Sequence, residues 1–231
     1  MQIITLSGLD GSGKTTQLQK LKKYLQEKKY QVVSFHAIQF SLINFFLKKH
    51  KLNSLNEGTD NEQSRQTTIF EKPAPAVTSG NWFTITARKA VLLIDIFRFK
   101  KFYRKLKNRQ VDFLLSDRYF FDQIINILYL SYKNKILKTL KKSSKKKIRI
   151  RLFFSLRLAV KLIMKPDYAF FINTSPKTIL TRTPDIEQDE TYLLIKQALY
   201  RKFSSEWKIK SINGEQKAED VFQEILKNLS L

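Results

Sequence analysis

The first twenty residues limit what this chain can fold into more than any other segment does. A short apolar run at residues 3–6 leads into Gly8-Leu9-Asp10-Gly11-Ser12-Gly13-Lys14-Thr15, and an amphipathic helical pattern follows. This spacing is that of the Gly-x4-Gly-Lys-Thr phosphate loop, placed between a buried strand and a helix. The backbone N–H groups of such a loop and the positive end of its helix form a cradle for a polyphosphate. The segment therefore predicts a nucleoside triphosphate site; the alternative is an ordinary glycine turn.

The phosphate loop also predicts roles for its side chains. Lys14 is placed to reach the β and γ phosphates of a triphosphate, and the Thr15 hydroxyl is placed to ligate magnesium. ATP and Mg²⁺ are therefore the predicted cofactors. The residues predicted to bind the triphosphate are Gly8, Asp10, Gly11, Ser12, Gly13, Lys14, Thr15 and Thr16.

A second acidic element lies about a hundred residues further on. The apolar run at 111–115 predicts a buried strand, and Ser116-Asp117-Arg118 follows it directly. An acid at the carboxyl end of a parallel strand lies beside the phosphate loop, where it can hold magnesium directly or through water. Arg118 is then placed to neutralise charge on the transferred phosphoryl group. Taken alone, such an acid is more often a helix cap, but the phosphate loop favours the magnesium role.

Strand-like and helix-like patterns alternate along the chain. This alternation predicts a single α/β domain over 1–231, a three-layer P-loop kinase fold with about five parallel strands and helices on both faces. The predicted strands are 2–7, 31–37, 111–115, 168–173 and 207–212. The predicted helices are 14–28, 40–49, 82–108, 121–132, 150–164, one opening at Ser175-Pro176, 192–204 and 218–229. Residues 51–81 predict a long irregular loop, and a lysine-rich connector follows the helix at 121–132.

Composition narrows the class of protein and leaves one question open. There are no cysteines among 231 residues, which excludes disulfides, cysteine-ligated zinc and thiol catalysis. The apolar stretch at 152–164 is too short and too charged to span a bilayer, so no transmembrane segment is predicted and a cytoplasmic location is expected.

The net charge is +23, and no Asp or Glu occurs between Asp122 and Asp167. The basic segment 133–165 is either a solvated face or a surface for nucleic acid or anionic membrane.

Several motifs together resemble the thymidylate kinase family. They are the phosphate loop with Thr16, Leu92-Leu93-Ile94-Asp95-Ile96-Phe97-Arg98, Asp117-Arg118-Tyr119, and Pro166-Asp167 before a strand. Their order and spacing cover nearly the whole chain. The resemblance implies ATP- and magnesium-dependent transfer of a phosphoryl group to a nucleoside monophosphate, dTMP first among them. It also implies a tendency to form homodimers through helices, which the Phe-rich helices of this chain permit.

The resemblance further implies roles for individual residues. Asp10 is expected to touch the sugar hydroxyl of the acceptor, Arg98 to bind the acceptor's phosphate, and Asp117 to organise magnesium. Arg182 is expected in a lid near 182–191, a role for which Lys177 and Arg201 compete. The predicted catalytic residues are Lys14, Asp117, Arg118 and Arg182, and the predicted acceptor-binding residues are Asp10, His36, Arg98 and Tyr119. Asn213-Gly214-Glu215 matches the family's adenine contact or is a plain turn.

The chain departs from this family in its acceptor half. Where thymidylate kinases carry an Arg followed by a Pro-Gly-Gly type of turn, this chain has Phe35-His36-Ala37-Ile38-Gln39-Phe40. His36 or Gln39 is the candidate replacement, with Arg65 and Arg88 as further candidates. Two alternatives therefore stay open: a P-loop kinase with another small-molecule acceptor, and a nucleotide-binding module that docks through its basic segment.

Overall fold

The computed structural model describes residues 1–42, 82–142 and 152–229, without the side chains of 38, 39 and 134–142. In these ranges the chain forms a five-stranded parallel sheet in the order β2-β3-β1-β4-β5. The strands are β1 (Gln2–Gly8), β2 (Val32–His36), β3 (Phe113–Asp117), β4 (Tyr168–Asn173) and β5 (Lys210–Asn213). The predicted α/β class with about five parallel strands is confirmed.

Helices cover both faces of this sheet. They are α1 (Lys14–Glu27), α2 (Ala37–Phe40), α3 (Trp82–Lys107), α4 (Phe120–Lys142), α5 (Phe154–Leu162), α6 (Pro176–Arg182), α7 (Glu190–Glu206) and α8 (Ala218–Lys227). None of the helices in the described ranges has the length and apolar character needed to cross a membrane.

Alternation along β1 separates two hydrophobic layers, because neighbouring strand residues point to opposite faces of the sheet. Ile3 belongs to a large layer that contains Phe99 of α3 and Leu199 of α7. Ile4 belongs to a smaller layer that contains Leu21 of α1 and, from α8, Ile225. The sheet is thus the middle of three layers, which is the predicted architecture.

The parallel register brings the carboxyl ends of the strands to one edge of the sheet. Leu6 of β1 is opposite Asp117 of β3, and Gly8 is opposite Ile172 of β4. His36 of β2 is opposite Asp117 on the other side of β3. The phosphate loop, the acid and the histidine therefore converge although they are far apart in sequence.

Some predicted boundaries are wrong, each for a local reason. The helix predicted at 121–132 continues to Lys142 as α4, because residues 133–142 have no Gly or Pro and are rich in helix-forming Lys and Leu. β5 begins at Lys210 rather than at 207, because Trp207 still donates its N–H to the Phe203 carbonyl of α7 at 2.9 Å. α2 begins before the predicted helix at 40–49, most of which lies outside the described residues. The predicted loop at 51–81 and residues 143–151 of the basic segment also lie outside them.

Candidate functional site

The phosphate loop connects β1 to α1 and requires glycine at two positions for steric reasons. A Cβ on Gly8 (φ +153°) would lie 2.9 Å from both the Ile172 carbonyl oxygen and Ser12 Oγ. A Cβ on Gly11 (φ +76°) would lie 2.9 Å from a methyl group of Ile179 on α6. Both glycines adopt backbone angles that other residues rarely take, so the tight curl of the loop depends on them.

The first turn of α1 is open to an anion. Gly13 is its N-cap residue and no side chain caps the helix, so the N–H groups of the first turn have no side-chain acceptor. The buried Lys14 side chain folds back over the loop, where Nζ donates to the Leu9 carbonyl at 2.5 Å and to Ser12 Oγ at 3.5 Å. Both acceptors are neutral, and a phosphate oxygen would be a stronger partner for the amine.

Burial lowers the pKa of Lys14, while the negative charges of Asp117 and Asp122 oppose that shift. The structure thus places a desolvated amine beside two carboxylates without an ion pair to either of them. A bound polyphosphate would supply the missing negative charge and favour the protonated amine.

Thr15 and Asp117 meet as the sequence predicts. Thr15 Oγ1 donates to Asp117 Oδ2 at 2.8 Å, which joins the start of α1 to the end of β3. Magnesium in nucleotide sites is held by one or two protein oxygens, phosphate oxygens and water. The described residues contain no cluster of three His, Cys, Asp or Glu that could hold a metal. This hydroxyl and carboxylate therefore fit a magnesium ion that arrives with phosphates.

Arg118 fills the space between β3 and the phosphate loop. Its guanidinium pairs with Asp10 of the loop, and its Nη1 lies 3.5 Å from the Gly8 carbonyl and 3.8 Å from Asp122 Oδ1. Its backbone is left-handed (φ +65°), which costs an L-residue about 1–2 kcal/mol. The fold keeps this conformation in a residue that holds the loop, and such strain is concentrated at functional sites.

Asp122 is a residue of the site that the sequence analysis did not find. Its carboxylate is 0% exposed and accepts hydrogen bonds from Ser7 Oγ (2.6 Å), the Tyr119 N–H (2.8 Å) and the Tyr200 hydroxyl (2.6 Å). It thereby connects β1, the first turn of α4 and α7. An acid in the first turn of a helix was the only sequence signal, and that signal indicates a cap rather than a connection to three elements.

His36, the candidate replacement for the family's missing arginine, lies at the end of β2 next to β3. It ends β2 opposite Asp117, and burial lowers its pKa while the carboxylates of Asp117 and Asp122 oppose the shift. A neutral imidazole is therefore favoured at pH 7, with one nitrogen able to accept a hydrogen bond.

Arg98 contacts its own helix α3 and the short helix α2. Nη1 donates to Asp95 Oδ1 at 2.9 Å and to the Phe40 carbonyl at 3.0 Å, and the guanidinium lies 4.6 Å from the Phe40 ring centroid. Asp95 Oδ1 also accepts the Leu42 N–H at 3.2 Å. These contacts fasten α2 to α3. About a third of the Arg98 side chain is exposed, so the guanidinium is not enclosed.

Tyr119, a predicted acceptor-binding residue, lies in the hydrophobic core and not at the surface of the site. The side chain is 0% exposed and packs edge-to-face against Phe99 and Phe120, while its hydroxyl donates to the Met164 carbonyl at 2.7 Å. Burial raises the pKa of this phenol well above its usual range. The backbone of Arg118 turns so that the guanidinium faces the loop and the next residue faces the core, a reversal that the sequence does not show.

Arg182 lies at the turn after β5 rather than over the phosphate loop. Its guanidinium donates to the carbonyls of Gly214 (2.8 Å), Glu215 (3.1 Å) and Gln216 (3.4 Å). A Cβ on Gly214 would collide with Thr174 Oγ1, so this turn is pressed against the end of β4. The predicted role of Arg182 in charge stabilisation stays a prediction that requires the guanidinium to leave these carbonyls.

The segment 183–189, inside the predicted lid, lies against the phosphate loop. Thr183 and Ile186 both come within 3.4 Å of the position that a Cβ on Gly11 would occupy. Asp189 then caps α7 by accepting the Tyr192 N–H at 2.6 Å. The lid prediction thus falls on a segment that covers one side of the loop.

The remaining candidates lie away from the loop or outside the described residues. Lys177 is exposed on α6, and Arg201 Nε donates to Asn173 Oδ1 at 3.3 Å. Arg88 is half-buried on α3, where burial lowers its pKa. Arg65 and the side chain of Gln39 lie outside the described residues.

A parallel sheet whose central strand runs into a phosphate loop, with an aspartate from the next strand beside the loop threonine, defines the P-loop kinase class of fold. Residues 6–43 match the family model for thymidylate kinase. Among solved structures, the thymidylate kinase from Ehrlichia chaffeensis is similar at a TM-score of 0.53 and 20% identity, over 100% of this chain and 98% of that chain. A search of curated proteins found no match.

These comparisons confirm the resemblance to thymidylate kinases, in sequence over residues 6–43 and in fold along the chain. The sequence match contains the phosphate loop and ends beyond the segment in which the chain departs from the family's acceptor motif. Together they support a nucleotide kinase, and they leave the acceptor open.

Proposed function

We propose that this chain is an ATP- and magnesium-dependent nucleoside monophosphate kinase that transfers the γ-phosphoryl group of ATP to dTMP, giving dTDP and ADP. The observation that carries the proposal is the 2.8 Å contact between Thr15 and Asp117 next to the buried amine of Lys14. Phosphoryl transfer needs positioning and charge neutralisation rather than a strong base. This edge of the sheet supplies both.

The donor side of the reaction is assigned to the phosphate loop. The N–H groups of the loop and of the first turn of α1 bind the triphosphate, and Lys14 leaves the Leu9 carbonyl to bind its β and γ phosphates. Thr15 and Asp117 would hold magnesium, which would supply positive charge to neutralise the phosphates. Asp10, whose carboxylate is held by Arg118, faces the acceptor sugar.

Transfer forms a bond between the γ phosphorus and an oxygen of the acceptor's phosphate, and it breaks the bond from that phosphorus to the oxygen that leaves with ADP. Arg118, buried and held by Asp10 and Asp122, stabilises the negative charge on the group in transit. The segment 183–189 covers the loop at Gly11 and keeps water from the γ-phosphate.

The acceptor is assigned to the edge formed by β2 and α3. His36 supplies a neutral hydrogen-bonding group beside Asp117. Arg98 on α3 is the residue to which the resemblance gives the acceptor's phosphate. The segment at 35–40 lacks the family's arginine and glycines, which makes a different small-molecule acceptor the second candidate.

A coupled ADP-release assay across dTMP, the other nucleoside monophosphates and several non-nucleotide acceptors tests the proposal. We expect dTMP to give the highest kcat/KM. If another monophosphate gives a higher kcat/KM, that monophosphate is the acceptor in place of dTMP. If a non-nucleotide gives the highest value, the second candidate, a kinase with a different small-molecule acceptor, is supported. Absence of acceptor-dependent turnover would overturn the kinase assignment. The homodimer, the cytoplasmic location and the binding of the basic segment 133–165 to nucleic acid or anionic membrane stay predictions.

A further inference from the structure

Lys196 is a buried lysine on α7 to which neither the sequence motifs nor the resemblance gives a role. It is 4% exposed, and its Nζ lies 4.7 Å from the centroid of the Tyr192 ring. Within residues 1–42, 82–142 and 152–229, no carboxylate oxygen comes within the 4.0 Å of an ion pair. Lysines are almost never fully buried unless they are paired, because an isolated buried ammonium is costly.

The surroundings of Lys196 are those of the phosphate site. Its charge interacts with those of Arg118, Asp122 and Lys14. The Tyr192 ring beneath its amine feels the charges of Arg118 and Lys14 as well. Lys196 therefore shares one buried region with the two cations already assigned to phosphate binding.

The carboxylates of this region are already in use. Asp10 and Asp122 pair with Arg118, and Asp122 also accepts three hydrogen bonds. Asp117 accepts the Thr15 hydroxyl. Two buried amines, those of Lys14 and Lys196, are left without an ion pair among the described residues. Burial lowers the pKa of Lys196 to about 7, and the opposing charge of Asp122 does not offset it.

The position of α7 is well determined by polar contacts on both sides of Lys196. Gln197 Nε2 donates to the Thr174 carbonyl at 3.0 Å, at the end of β4. One turn after Lys196, the Tyr200 hydroxyl donates to Asp122 at 2.6 Å. Gln197 and Tyr200 hold the helix at the carboxyl edge of the sheet, so the amine is held near the site by packing rather than by a partner of its own.

We propose that Lys196 is a third phosphate-binding cation, which together with Lys14 and Arg118 contacts phosphate oxygens of the nucleotides during phosphoryl transfer. The proposal rests on the proposed function for the identity of the phosphates. It extends the site to α7, the helix that directly follows the segment covering the phosphate loop. A polyphosphate between Lys14 and Lys196 would supply negative charge to two amines that have no ion pair among the described residues.

The test compares Lys196→Met with a control on the same helix, Lys202→Met. Lys202 is partly exposed and pairs with Glu206 at 3.4 Å, so its loss leaves the buried region unchanged. We expect Lys196→Met to raise the Tm of the ligand-free protein, because a buried unpaired charge is removed. We also expect it to weaken binding of sodium tripolyphosphate about 10- to 100-fold by calorimetry, as for loss of a charged hydrogen bond. Lys202→Met should change neither quantity.

A structural role for Lys196 gives the opposite pattern. If its amine only anchors Tyr192, Lys196→Met lowers the Tm or prevents folding, and Lys196→Arg restores folding without a change in tripolyphosphate affinity. Either that pattern or unchanged affinity in Lys196→Met overturns the proposal. Tripolyphosphate needs no acceptor, so this result stands apart from the ADP-release screen. Suppose that the wild-type protein turns over dTMP and that Lys196→Met binds tripolyphosphate normally. The phosphate-binding role of Lys196 is then rejected, while the kinase assignment stands.

Discussion

The two halves of the site differ in how their charged groups are held. On the donor side, Arg118 and Asp122 are buried and tied to several elements, and Lys14 lies over the loop without a carboxylate partner. On the proposed acceptor side, Arg98 is partly exposed, and it contacts Asp95 of its own helix α3 and the Phe40 carbonyl of α2. The proposed donor half leaves the buried Lys14 amine without a carboxylate partner, whereas the proposed acceptor half uses Arg98 to hold α2 against α3.

This difference has a physical reason. A triphosphate carries several negative charges in a small volume, so a buried site can leave amines unpaired and rely on the ligand to compensate them. A monophosphate acceptor needs fewer cations, and an arginine that is held in place by one carboxylate can still present its other N–H groups. The comparison predicts that donor-side changes affect turnover most, while acceptor-side changes affect stability and KM together.

The largest effect is expected from Lys14→Ala. We expect kcat for ADP release to fall by about 10³-fold, as for removal of a preorganised group that stabilises charge in the transition state. The protein should stay folded, because within the described part of the chain Lys14 donates to two groups alone, the Leu9 carbonyl and Ser12 Oγ. Steady-state kinetics and a melting curve measure both quantities. Lys23→Ala, an exposed change on α1, is the control, and equal turnover in the two variants would contradict the donor assignment.

The variant Asp117→Asn tests the proposed magnesium site. The amide keeps the size of the side chain and can still accept the Thr15 hydroxyl, but it removes the negative charge beside the loop. We expect the magnesium concentration for half-maximal activity to rise about 10- to 100-fold, as for loss of a residue that supports metal binding. A magnesium titration of the ADP-release rate measures it. Asp220→Asn on the exposed face of α8 should leave the titration unchanged.

Arg98→Ala tests the acceptor half. We expect kcat/KM for the monophosphate to fall about tenfold while KM for ATP holds, together with a loss of about 1–3 kcal/mol in the free energy of unfolding, because the buried Asp95 loses its charged partner. Kinetics with each substrate varied in turn, and urea unfolding, give the three quantities. Arg104→Ala, exposed on the same helix, controls for general loss of charge. A defect confined to ATP would show that Arg98 belongs to the donor half.

The smallest effect is expected in how the Tm difference between Lys196→Met and wild type depends on pH. Burial lowers the pKa of Lys196 in the folded protein to about 7, from the usual 10.5 of a lysine. Between these two values the unfolded chain binds more protons, so wild-type stability rises with pH through this group. We therefore expect the Tm advantage of Lys196→Met over wild type to be largest below pH 7 and to shrink by a few degrees, on the order of 4 °C, towards pH 9. A gap that is constant from pH 6 to pH 9 would contradict a buried, uncompensated amine.

Features that depend on residues close together in sequence could be predicted from short sequence patterns. The phosphate loop requires a fixed spacing of glycine, lysine and threonine, so it could be found from one window. The strand YAFFIN at 168–173 was predicted to the residue, because an apolar run between Pro166-Asp167 and Ser175-Pro176 has clear limits. Asp117 could be placed beside the loop because parallel strands bring their carboxyl ends to one edge.

Contacts between distant segments could not be found in this way. Asp122 looks like a helix-capping acid, and only the packing of α4 and α7 against β1 shows that it binds Ser7 and Tyr200. Tyr119 follows two site residues in sequence, yet the left-handed backbone of Arg118 directs it into the core.

What this sequence determined by itself is therefore the loop, the alternation of strands and helices, and the class of reaction that such a loop serves. The tertiary structure alone decided which charges meet a partner: Arg118 with two aspartates, Arg98 with Asp95, and Lys14 and Lys196 with none among the described residues. The reason is that electrostatic energy depends on distance and burial, and both are properties of residues brought together by folding rather than of residues adjacent in the chain.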